Sequence, residues 1–177
     1  MYTDIQKGMG TCMNIKELIT EKYLDGVIDV DHFVALLEKA NKSDKTIKLT
    51  VIPTKRVGDI KFGMSRNSVR KILNINLEEF KKTPSSKNTT DDFGFCHVFY
   101  DESDKCEAIE IHGDVIVELN GQKIYPNNFS VLEGLINDFE KEDNDYISVS
   151  KSIGVSVSSE NKNIKSILFG KQGYYNN

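Results

Sequence analysis

The sequence predicts an α+β fold with a largely antiparallel sheet, packed helices and an N-terminal helical hairpin. Three observations predict it: apolar residues alternate along residues 91–125, an Asn120-Gly121 pair interrupts that alternation, and apolar stripes of helical period flank it. Runs that alternate, turn and alternate again are typical of consecutive antiparallel strands. We therefore expect residues 91–125 to form the core of one sheet.

Length and composition limit the class of protein. The chain has 177 residues, of which 38% are hydrophobic and 28% charged, and these values are typical of a globular chain with one core. No apolar run approaches the ~20 residues that cross a bilayer, and we find no secretory signal in the first residues. We expect a cytoplasmic protein that does not enter a membrane.

Charge, cysteine content and motifs argue against several functions. A net charge of −4 provides no basic surface for nucleic acid and favours a basic partner. The three cysteines, Cys12, Cys96 and Cys106, are odd in number and lack the spacing of metal ligands. The sequence contains no P-loop, nucleophile elbow or dinucleotide fingerprint. We expect no enzyme activity, no cofactor and no metal.

Three segments are predicted along the chain. Residues 1–13 show no periodic apolar pattern and are expected to form a flexible tail. Residues 14–45 contain two apolar stripes of helical period, one on each side of Gly26, and are expected to form the helical hairpin. Residues 46–177 are expected to form the α+β sheet domain.

The connection within the predicted hairpin, DGVIDVDHF, resembles the second half of a calcium-binding EF-hand loop. His32 occupies the position where calcium requires a bidentate glutamate, so we expect a plain connection between helices. The same hairpin could also mediate a homodimer.

The sheet domain opens with the alternating strand KTIKLTVIP, and a short strand then leads to a helix capped by Ser65. Arg66 and Arg70 lie one turn apart on this helix. They form either its solvent face or a clamp for a carboxylate or phosphate. Residues 76–92 are polar and are expected to form a mobile surface loop.

The Asn120-Gly121 pair favours a type I′ turn and therefore predicts a register. The predicted pairs are Leu119 with Gln122, Glu118 with Lys123, and Val117 with Ile124. After the second strand, we expect a helix from Asn127 or Asn128 to Phe139, followed by strands near residues 146–157 and 164–170.

The two strands predicted on either side of residues 101–105 suggest an alternative function. A turn over residues 101–105 would set Tyr100 opposite Cys106 and Cys96 opposite Glu110, with His112 diagonal to Cys96. Thiol, imidazole and carboxylate together are the groups used in thiol catalysis. The alternative to a binding protein is therefore a small enzyme or ligand-binding protein with a pocket near Cys96, Glu110 and His112.

Three stretches resemble small bacterial immunity proteins of polymorphic toxin systems: KFGMSRNSVRKIL, FCHVFYDESDKCEAIEI and SIGVSVSSENKNIKSILFGKQGYY. The resemblance spans residues 57–175. It implies a protein that neutralises a cognate toxin by stoichiometric binding, without cofactor or turnover.

Carboxylates cluster in the predicted turns, where they could pair with Lys or Arg of a protein partner. The predicted partner-binding residues are Asp101, Glu102, Asp104, Glu140, Glu142 and Asp143. The sequence thus favours a protein-binding module whose partner is a cognate toxin or another basic protein.

Overall fold

The computed structural model describes four stretches of the chain: residues 15–43, 46–84, 86–143 and 145–176. The described residues before Thr46 form one compact unit, and those from Thr46 onwards form a second. The predicted tail over residues 1–13 lies outside the described residues.

The first unit contains two helices, α1 (Ile15–Leu24) and α2 (Val30–Ser43). The rings of Tyr23 and Phe33 stack with their centroids 4.4 Å apart. At the start of α2, the Asp29 carboxylate accepts a hydrogen bond of 2.8 Å from the backbone N–H of His32, as a helix cap does. A stable helical hairpin stays a prediction.

The second unit consists mainly of short strands. In chain order it contains β1 (Ile47–Ile52), β2 (Arg56–Val57), β3 (Ile60–Lys61), α3 (Arg66–Leu73), β4 (Glu78–Phe80), β5 (Thr90–Asp92), β6 (Cys96–Tyr100), β7 (Cys106–Ile111), β8 (Val115–Leu119), β9 (Gln122–Tyr125), α4 (Phe129–Glu133), β10 (Glu140–Glu142), β11 (Asp145–Ser148), β12 (Ile153–Val157) and β13 (Ile164–Gly170). Within the described stretches, no helix combines the length and apolar character that a membrane span requires.

The strands form two sheets. One has five strands in the order β3-β2-β1-β8-β9, and the other has eight in the order β10-β11-β12-β13-β7-β6-β5-β4. All neighbouring strands in these sheets are antiparallel except β1 and β8, which are parallel. The predicted α+β class with mainly antiparallel strands is confirmed.

The prediction that residues 91–125 form one sheet is wrong. Strands β6 and β7 belong to the eight-stranded sheet, whereas β8 and β9 belong to the five-stranded sheet. The chain leaves the eight-stranded sheet at Gly113, where a Cβ would lie only 2.6 Å from the Cα of Phe95. Since β8 pairs with β1, a partner distant in sequence, alternation alone could not reveal the change of sheet.

The Asn120-Gly121 turn forms as predicted. Both residues have positive φ, 52° and 78°, as a type I′ turn requires. Two predicted pairs are confirmed, Leu119 with Gln122 and Glu118 with Lys123. The third is wrong because an irregularity after Val117 places that residue opposite Tyr125.

The predicted register of the β6–β7 hairpin is also only partly correct. Tyr100 pairs with Cys106 as expected, but a bulge between Phe99 and Tyr100 shifts the remaining pairs by one residue. Cys96 therefore lies opposite Ile111, and it is His97 that lies opposite Glu110. A shift of one residue moves a side chain to the other face of the sheet.

Two further element predictions are wrong. The predicted loop over residues 76–92 contains β4 and β5, which pair with each other and extend the eight-stranded sheet. The predicted helix to Phe139 ends at Glu133, because the chain beyond it turns back to pair as β10 with β11. Strands β4 and β10 are short edge strands with exposed residues, which leave little periodic pattern to detect.

Both sheets contribute to one hydrophobic core. Val117 and Ile124 of the five-stranded sheet and Val98 and Ile167 of the eight-stranded sheet are fully buried in it. Helix α3 adds Val69, which is also fully buried, and begins at Ser65, whose hydroxyl accepts from the Ser68 N–H. The core-facing side of the eight-stranded sheet is thus filled by apolar side chains.

Candidate functional site

One face of the eight-stranded sheet points away from the core, and we call it the outer face. One residue from each strand lies on a single row across it, in the order Glu140, Ile147, Gly154, Leu168, Glu110, His97, Asp92 and Glu78. Apart from Gly154, these residues are half-buried or exposed, whereas most of the residues that alternate with them are buried. Four of the eight carry carboxylates, so the face is acidic.

The C-terminal residues pack on the middle of the outer face. A Cβ on Gly170 would lie 2.5 Å from the Cβ of Tyr174, and one on Gly154 would lie 2.1 Å from the hydroxyl of Tyr175. Burial raises the pKa of both tyrosines, and the Glu110 carboxylate adds to this effect. Each glycine therefore provides the space that a tyrosine ring occupies.

Two histidines and a carboxylate meet at one end of the row. The ring centroids of His97 and His112 are 4.2 Å apart, and His97 Nε2 lies 3.6 Å from Asp92 Oδ2. On its other side, His97 Nδ1 lies 3.5 Å from Glu110 Oε2. One ligand atom from each of Asp92, His97 and His112 falls within 4.8 Å of the others, so these three residues could hold a metal ion.

The His112 ring has a buried nitrogen without a hydrogen bond in the described part of the chain. Its Nε2 atom is buried and has no hydrogen-bond partner among the described residues. Burial and the neighbouring His97 lower its pKa, against a smaller opposite effect of Asp92 and Glu110. The imidazole is therefore held towards its neutral form, in which a ring nitrogen has a free lone pair.

The predicted pocket near Cys96, Glu110 and His112 does not form, because Cys96 lies on the core side. Cys96 instead lines an apolar groove of about 240 Å³ with residues that include Leu49, Ile60 and Leu73. Burial raises the pKa of Cys96 and of Cys106 to about 12. Thiols with a raised pKa are poor nucleophiles at neutral pH, so the burial of Cys96 does not favour thiol catalysis.

Arg66 and Arg70 form a clamp, and the carboxylate that they hold is internal. Asp91 is fully buried and receives two hydrogen bonds from Arg70. The Arg66 guanidinium lies 4.3 Å from the centroid of the Tyr100 ring and donates to the hydroxyl and carbonyl oxygens of Thr89. These charges are paired with one another, so the cluster connects α3 to the sheet.

Three of the predicted partner-binding residues lie in the β6–β7 turn and have internal partners. Asp101 accepts from the backbone N–H groups of Ser103 and Lys105, and its other oxygen lies 3.3 Å from Lys171 Nζ. Asp104 Oδ1 lies 2.8 Å from Arg66 Nε, and Glu102 pairs with Lys87. Asp101 thus stabilises the turn itself, and Asp104 connects the turn to α3.

The other three predicted residues, Glu140, Glu142 and Asp143, lie at the β10–β11 hairpin. Strands β11, β12 and β13 separate β10 from β7, and the β10–β11 turn lies at the opposite strand ends from the β6–β7 turn. The six predicted residues therefore do not form one surface. The structure instead brings Glu140 and Glu142 to the outer face with Asp145, which the sequence had not singled out.

No protein-family model, no curated protein and no solved structure matches this chain. Its fold defines an α+β protein with two mainly antiparallel sheets. Its candidate functional site is the acidic outer face of the larger sheet.

Proposed function

We propose that this chain is a protein-binding module, and specifically an immunity-type protein of the bacterial cytoplasm that neutralises a toxin by stoichiometric binding. The partner is a basic protein, and it docks on the outer face of the eight-stranded sheet. The resemblance of residues 57–175 to immunity proteins supports the class, and the charge of this face supports the location.

One observation carries the proposal. The outer-face carboxylates of Glu78, Glu140, Glu142 and Asp145 have no ion-pair partner among the residues that the structure describes, in contrast to those of the β6–β7 turn. Unpaired carboxylates on one face create a negative potential that speeds the approach of a basic partner. They are also free to form charge-assisted hydrogen bonds with Lys or Arg of that partner.

The scaffold beneath this face suits binding without turnover. Continuous cross-strand pairing from Glu140 to Glu78 fixes the backbone positions of the row before a partner arrives. A preorganised surface loses little conformational entropy on binding, which favours affinity.

The test expresses this chain in a bacterial host together with the product of the neighbouring reading frame. We expect that product to stop growth alone, and we expect co-expression of this chain to restore growth through a one-to-one complex. The variant E140K/E142K should bind at least about tenfold more weakly and protect poorly, because it reverses two charges of the docking face.

The matched control is E133K/E160K, which makes the same charge change at two exposed positions, in α4 and before β13. It should protect like the wild type. Equal protection by both double variants would contradict the docking face, and a neighbouring product that does not impair growth would contradict the immunity role.

A further inference from the structure

We propose that Asp92, His97 and His112 bind one divalent transition-metal ion of the zinc type, with one coordination position left open. The inference does not depend on the proposed function, since it concerns what these three side chains bind without a partner.

The spacing of the donor atoms fits such an ion. Tetrahedral zinc, with bonds of about 2.0–2.1 Å, sets its ligand atoms about 3.4 Å apart. Asp92 Oδ2 and His97 Nε2 are already 3.6 Å apart. The three ligand atoms lie within 4.8 Å of one another, which is little more than an ångström beyond that spacing.

The backbone holds the three residues together. Asp92 and His97 are cross-strand partners on β5 and β6. The N–H of His112 donates to the Phe95 carbonyl at 3.1 Å, which ties the end of β7 to the start of β6. Asp92 Oδ1 accepts from the Gly94 N–H at 2.7 Å, and this bond leaves Oδ2 turned towards His97.

Glu110 contacts the proposed ligand His97 and not the metal position itself. Its carboxylate faces Nδ1 of His97 at 3.5 Å, while Nε2 of the same ring faces Asp92. In many metal sites a carboxylate accepts from the non-ligating nitrogen of a histidine, and it thereby orients the ring and raises its basicity. Glu110 is thus a positioning residue for His97.

The buried Nε2 of His112 gives an independent reason to expect a ligand. A buried polar atom without a partner costs free energy, and such atoms are rare in folded proteins. A bond to a metal ion would satisfy this atom.

The donor set selects the class of ion. Two imidazoles and one carboxylate suit zinc and its neighbours in the transition series, whereas calcium and magnesium prefer oxygen ligands. The Phe80 ring packs edge-on against His97 with the centroids 5.0 Å apart, and it adds an apolar wall to the site. Three protein ligands leave the fourth position for water or an external ligand.

The test titrates the full chain with Co²⁺, followed by its visible absorption, and with Zn²⁺, followed by calorimetry. We expect one ion per chain and a zinc-dependent rise in Tm. H97A and H112A should each weaken binding at least tenfold, and E110Q should weaken it roughly 10- to 100-fold through the outer shell.

The matched control is H32A, which removes the exposed histidine of α2 and should bind both ions like the wild type. D92N keeps an oxygen that can accept from the Gly94 N–H, so it provides a folded variant if a histidine variant fails to fold. Circular dichroism checks folding in each case. No uptake of either ion, or wild-type affinity in D92N, H97A and H112A, would overturn the proposal.

This experiment also separates the two proposals. E140K/E142K leaves the three ligands intact and should bind Zn²⁺ like the wild type, although it fails to bind the protein partner. Failure of the zinc titration would therefore leave the docking proposal standing.

Discussion

Arg70 holds the fully buried carboxylate of Asp91 through two hydrogen bonds, from Nε to Oδ2 at 2.8 Å and from Nη2 to Oδ1 at 2.6 Å. The Tyr100 hydroxyl donates a third bond to Oδ2 at 2.9 Å. Helix α3, β5 and β6 thus meet at one buried charge. Because that charge is paired, the cost of its burial is offset only while every partner remains.

Removal of this carboxylate should therefore destabilise the protein strongly. We expect D91A to lower the free energy of unfolding by about 3–5 kcal/mol, because it removes the buried partner of Arg66 and Arg70 and leaves them only the more exposed Glu79 and Asp104. Urea denaturation measures the change. D114A, at an exposed aspartate, should stay within about 0.5 kcal/mol of the wild type. A loss below about 1 kcal/mol for D91A would contradict the role of the clamp.

The packing of the C-terminal residues predicts a sensitive glycine. G170A should lower the free energy of unfolding by about 1–3 kcal/mol, because its Cβ would lie 2.5 Å from the Tyr174 side chain. The cost should shrink when G170A is combined with Y174A, which removes the ring. G134A should be tolerated, since its Cβ would come no closer than 3.4 Å to another atom. Equal effects of G170A alone and with Y174A would show that Tyr174 does not occupy that space.

The ion pairs of Glu79 predict a dependence of stability on pH. The Thr89 hydroxyl, and then Arg70, lower the pKa of Glu79 below its usual 4.5, against a smaller effect of burial. A lowered folded-state pKa stabilises the protein above the unfolded-state value, and this contribution disappears as the pH falls through the folded-state value. E79Q should therefore lose less stability than the wild type between pH 5 and pH 3 in chemical denaturation. E78Q, at the adjacent exposed position, should follow the wild type.

The buried thiols should resist modification. Because the pKa of Cys96 and of Cys106 rises from 9.0 to about 12, the thiolate fraction near pH 8 falls roughly a thousandfold. Iodoacetamide should label both residues only after unfolding in urea, as peptide mass spectrometry would show. Rapid labelling of Cys96 in the native protein would restore the thiol-enzyme hypothesis.

Local chemistry explains which parts of the fold the sequence could predict. The Asn120-Gly121 turn and the Ser65 cap depend on residues within a few positions, and both formed as predicted. The division of β6–β9 between two sheets depends on β1, more than sixty residues before β8, so periodicity could not reveal it. The bulge at Phe99 and Tyr100 likewise leaves no periodic pattern of its own.

The candidate site was predictable only in part. The sequence identified Glu140 and Glu142, but it grouped them with Asp101 and Asp104, because turns far apart in a sheet look alike before the strand order is known. The predicted register was wrong by one residue, so it placed Cys96 instead of His97 opposite Glu110. In the sequence, the glycines at positions 154 and 170 were the signal that another element approaches the outer face closely.

Hydrogen–deuterium exchange of the chain, free and bound to the toxic product of the neighbouring reading frame, tests the central claim most directly. The proposed docking predicts slower exchange in β10, in β11 and at Tyr174 and Tyr175, with little change in β2 and β3 of the smaller sheet. Protection confined to the β6–β7 turn or to the five-stranded sheet would contradict docking on the outer face.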